Sequence, residues 1–156
     1  MSKDKKEKKA GKHGLNFVSS IVTSVFAVAA IIFYIIGASF FGYYNDFSPV
    51  MIFLITLGIV VCMASAVMTD KLGDKTIFSI MTIAASVLFA YALMSLAGAR
   101  VYSIAVLLLS DLERDNVEGY YALYSSIGAM GLLTMGMISN MVTGFAHAYV
   151  PKRENQ

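Results

Sequence analysis

Four stretches of this chain are nearly free of charge, and each is long enough to cross a lipid bilayer. Residues 17–41 and 49–69 hold no Asp, Glu, Lys or Arg, and neither do residues 121–151, where His147 is the one histidine. Residues 77–109 hold a single charge, Arg100. A transmembrane helix needs roughly 20 mostly apolar residues to span about 30 Å of hydrocarbon. All four stretches qualify. A charged share of 14% is also low for a soluble surface, where about 25% is usual. Barrel strands alternate in polarity and these stretches do not. The expected fold is an all-α integral membrane protein.

The charges outside the apolar runs are distributed unevenly. Six lysines lie in the first twelve residues, Lys71 and Lys75 lie between the second and third runs, and Lys152 and Arg153 follow the fourth. The links around 42–48 and 110–120 hold only Arg114 of the basic residues. The positive-inside rule then predicts a multi-pass protein of the cell membrane with both termini cytoplasmic. The apolar run after the N-terminal lysines is about 24 residues, beyond the roughly 7–15 of a signal peptide. It is expected to stay as the first helix.

Helices are predicted over about 16–41, 49–69, 76–110 and 119–149, forming one transmembrane domain over 16–149. A basic disordered N-terminus over 1–15 precedes it, and a cytoplasmic tail over 150–156 follows. Ser48 is placed to cap the second helix, with Pro49 in its first position, where a missing N–H costs nothing. Pro151 closes the fourth. Short links make successive helices antiparallel neighbours, so the expectation is an up-down-up-down bundle of four transmembrane helices.

These helices are apolar all round, so hydropathy does not select the inward face. Small and weakly polar residues do, because they let helices approach closely in lipid and hydrogen-bond across the contact. The fourth helix carries Ser125, Ala129, Gly136, Asn140 and His147 at steps of three and four or their multiples, with Gly144 one turn beyond Asn140. Gly136, Asn140, Gly144 and His147 are the candidate packing residues. Similar stripes run through Thr82, Ser86 and Arg100, through Gly58, Cys62 and Ser65, and through Ser20, Thr23 and Ala27.

Arg100 lies 24 residues after Thr76, a rise of about 36 Å along a helix. That places it at the outer boundary of the bilayer. Residues 101–109 are almost wholly apolar and continue past it. Three arrangements shelter them: a bend at Gly98, a strong tilt, or a stalk buried against another subunit. Asp46, Asp111 and Glu118 are the candidate counter-ions for Arg100, and these four are the candidate assembly or outer-mouth residues.

The acidic link 110–119 lacks the glycine and glutamate that a calcium loop needs at its sixth and twelfth positions. No motif for a metal, a cofactor or catalysis appears, and the lone Cys62 forms no internal disulfide. Nucleic-acid binding is not expected, since Asp4 and Glu7 dilute the lysine run. The expected function is therefore non-enzymatic: an accessory or assembly subunit of a membrane transport complex. Its partners would be the bilayer and another membrane protein or a second copy. The alternative is a small homo-oligomeric channel or carrier lined by the Ser, Thr and Asn seams.

Overall fold

The lysine-rich segment folds as part of the first helix. The computed structural model describes residues 3–39, 47–72, 75–110 and 115–148. Its elements are α1 (Lys3–Ser39), α2 (Pro49–Leu72), α3 (Lys75–Leu109) and α4 (Val117–Ala148). All regular structure among the described residues is helical. The sequence reading treats 1–15 as disordered, whereas α1 begins at Lys3. Lysine, glutamate and alanine are good helix formers, and Asp4 precedes Lys8 by one turn, the favourable order for such a pair.

The other helix starts follow from local chemistry. Pro49 opens α2 directly after Ser48, and the Met51 amide bonds the Ser48 carbonyl at 3.1 Å. Asn116 caps α4: its Oδ1 accepts from the Gly119 amide at 3.0 Å, satisfying one of the free donors at a helix start. That moves the start of α4 back to Val117 from the expected 119. α3 runs through Gly98 without a break.

Each helix contains an apolar segment long enough to cross a membrane, of 22, 20, 31 and 26 residues in chain order. They pack as a ring in which α1 touches α2 and α4, and α3 touches α2 and α4. Buried positions recur at alternating steps of three and four. In α1 they include Ser20, Thr23, Ala27, Ala30 and Tyr34, and in α4 Gly119, Ala122, Ser126, Ala129 and Leu133. A mean step of 3.5 keeps one seam facing a neighbour along the whole helix.

Two layers fill the centre. In one, Ala27, Ala30, Ile55, Ala85, Phe89 and Leu133 meet. In the other, Tyr34, Ala38, Met51, Leu96 and Ala129 meet. Small residues dominate the α1–α4 contact. A methyl group on Gly37 would lie 3.1 Å from Ser125 Cβ, and one on Gly128 would lie 2.9 Å from the Phe33 ring. Larger side chains there would force the two backbones apart.

Candidate functional site

Asn140 is the only amide side chain within the four apolar segments. It organises a buried polar layer to which every helix contributes. Its Nδ2 donates to the Thr82 carbonyl and to Ser86 Oγ, both at 2.9 Å. Ser86 Oγ in turn donates to the Thr82 carbonyl at 3.0 Å. The Cys62 thiol of α2 donates to Asn140 Oδ1 at 3.5 Å, and Ser20 of α1 is buried as well. Beside it, Thr23 Oγ1 donates to Ser139 Oγ at 3.3 Å.

Both amide hydrogens and the amide oxygen of Asn140 are thus used. A satisfied network of this kind pins the register of helices that are otherwise uniformly greasy. Its chemistry is recognition between helices: the groups present are an amide, a thiol and hydroxyls held in mutual bonds. Among the described residues, no three His, Cys, Asp or Glu side chains converge as metal ligands would.

Asn140→Leu should therefore weaken the fold by about 0.6–2 kcal/mol, the range for interhelical polar contacts in membranes. Unfolding by SDS titration measures it. Unchanged or increased stability would mean that the layer does not hold the helices.

Arg100 occupies the opposite end of α3. It is only 2% exposed and is the largest of the fully buried side chains. It is engaged in the fold, although its Nε and Nη2 groups find no acceptor among the described residues. Ser103 and Leu107 are buried on the same face of α3. A methyl group on Gly119 would sit 2.8 Å from Leu107 Cδ2, so the start of α4 covers this face closely. Part of segment 101–109 is thus sheltered by its own chain. The other face is open, with Val101, Tyr102, Leu108 and Leu109 exposed, Leu109 by 85%.

The candidate counter-ions divide. Glu118 is exposed in the first turn of α4, while Asp46 and Asp111 lie outside the described residues. Gly136 is buried against Phe26 and the Thr23 carbonyl. Gly144 faces Thr82, and a methyl group there would lie 3.0 Å from Thr82 Cγ2. His147 belongs to α4, and its side chain lies outside the described part.

Two residues of consequence were missing from the sequence reading. Tyr34 Oη accepts from the Ser48 amide at 2.7 Å and its ring stacks on Phe47 at 6.3 Å, tying the start of α2 to α1. Its position on the Ala27–Ala30–Ala38 stripe was a usable signal. Phe89 is fully buried over Gly58, and no local pattern separates it from the other aromatics. A groove also opens between α3 and α4, with a cavity volume of about 390 Å³ bordered by Ser79, Ser86, Ala90, Met141 and Gly144.

No family model, curated protein or solved structure matches the chain.

Proposed function

We propose that this chain is an up-down-up-down integral membrane protein with cytoplasmic termini, serving as a non-catalytic assembly subunit of a membrane transport complex. Alternation of direction is supported by contacts that run in opposite order along neighbours. Thr23 meets Ser139 while Gly37 meets Ser125, and Thr82 meets Gly144 while Leu107 meets Gly119. The positive-inside rule supports the orientation, as the lysine-rich segments share one side in this arrangement.

The observation that carries the partner reading is the length of α3 beyond the body of the bundle. Ala38 and Met51 meet Leu96 in the second core layer. The described part of α3 continues thirteen residues past Leu96 to Leu109, a rise of about 20 Å. Among the described residues, α4 packs on it at Gly119 and Leu107, and Val101, Tyr102, Tyr121 and Tyr124 are exposed. The apolar segment of α3 spans 31 residues, about 46 Å, against about 30 Å of hydrocarbon. Apolar side chains that outreach the lipid favour cover by protein. The channel reading has less support, since the seam hydroxyls are occupied in bonds between and within helices.

The test is extraction in mild detergent, followed by sizing and mass spectrometry. A stoichiometric membrane-protein partner is expected, and its contact should map to the exposed face of 101–109. A lone monomer, with that face labelled as freely as the lipid-facing side of α2, would overturn the proposal.

A further inference from the structure

We infer that the groove between α3 and α4 is a lipid site, holding one acyl chain of an anionic phospholipid from the leaflet beside the basic segments. This rests on the membrane orientation proposed above. The groove wall is built from Ser79, Thr82, Ser86, Ala90 and Gly144 with Met141. Such a list suggests a polar cleft, yet the surface presented is carbon. Ser86 Oγ is turned inward to the Thr82 carbonyl and Asn140, and Ser79 is engaged as well. Almost no polar surface is left for a solute to bond.

Dimensions select the occupant. From Ser79 to Ala90 the groove follows eleven residues of α3, about 16 Å. That is close to half of the roughly 30 Å hydrocarbon thickness, the depth of a single leaflet. The volume of about 390 Å³ accommodates about a dozen groups the size of water or methylene, at roughly 30 Å³ each. That is most of one acyl chain. A helix from a second copy, about 10 Å wide, needs an open trough along more of the bundle height.

Charge selects the headgroup. Lys75, the first residue of α3, stands one turn before Ser79, at the end of the groove nearest the link from α2. Lys71 lies in the last turn of α2, where Asp70 and Asp74 balance the two lysines, and Lys152 and Arg153 follow α4 in sequence, so the positive excess on this side comes from them and from the six lysines of residues 1–12. In the proposed orientation all of them belong to the side where the groove meets the headgroups. Clusters of basic residues at that level attract anionic lipid.

The full chain should be reconstituted in phosphatidylcholine nanodiscs containing a trace of phosphatidylglycerol with a photoactivatable acyl chain. Crosslinked peptides are then mapped by mass spectrometry. Labelling is expected to concentrate on residues 79–90 and 141–144, several-fold above the exposed face of α2 around Phe53 and Val60. An equivalent phosphatidylcholine probe should label the groove less. Ala90→Phe, which fills the groove, should remove that labelling and leave α2 labelling unchanged. The Lys71→Gln, Lys75→Gln double variant should lower the phosphatidylglycerol preference about fivefold or more, with an unchanged melting temperature as its folding control.

Uniform labelling around the bundle would overturn the inference, as would equal labelling by the two probes. So would a copy-to-copy disulfide formed readily by Val87→Cys, which would assign the groove to a second chain. Release of the protein by alkaline carbonate would instead defeat the membrane reading itself, and is scored separately.

Discussion

Arg100→Leu is expected to lose about 3 kcal/mol of folding stability, the low end of the cost of breaking a buried charged interaction from one side. Arg100 is enclosed almost completely and is engaged in the fold, so its removal strands whatever it contacts and leaves space beside α3. Arg114→Leu, in the acidic link of the sequence, is expected to change stability by no more than about 0.5 kcal/mol. The comparison controls for loss of one positive charge. SDS-titration unfolding of both variants decides it. Equal and negligible effects would show that the guanidinium does not secure the fold.

Phe89 is the second such point. In lipid, an apolar side chain gains no hydrophobic energy by leaving one greasy surroundings for another. What it gains is dispersion contact with a filled neighbourhood. Phe89→Ala should therefore lose only the cavity term. Removing roughly 100 Å³ at about 24 cal/mol per Å³ gives about 2–3 kcal/mol, below the 3–5 kcal/mol usual in soluble cores. The ring lies over Gly58, where an added methyl group would come within 2.6 Å of it. Gly58→Ala should then cost about 1–3 kcal/mol through overpacking. In a Phe89→Leu background, with the ring gone, that cost should largely vanish. A double-mutant cycle with no coupling between the two positions would mean that the α2–α3 contact is not made there.

The helix positions were legible because their cause is local. Uncharged runs, Ser48 before Pro49, and the polar punctuation near Asn116 act within a turn or two of chain. The differences at the helix ends have local causes too. The lysine segment reads as a solvated tail by charge, yet its residues are good helix formers, so α1 extends back to Lys3. Asn116 caps α4 two residues earlier than expected.

The candidate site was legible in part. Asn140 and Gly136 lay on a visible stripe of small residues, and both are buried. Their partners were not visible, because Thr82, Ser86 and Cys62 are each 54 to 78 residues away along the chain. Arg100 announced itself as the only charge in its run. Its burial did not, since enclosure depends on what packs beside α3 in the folded chain.

By itself, the sequence determined that this chain forms four helices long and apolar enough to cross a membrane. It did so through composition and spacing, which act over a few residues and need no partner. The tertiary structure alone decided which faces meet, which polar groups satisfy one another, and where a groove remains. Helices greasy on every side carry no hydropathy signal for that choice. It falls to shape, to the fit of a ring over a glycine and of an amide between two neighbouring helices, and shape exists only once the helices are together.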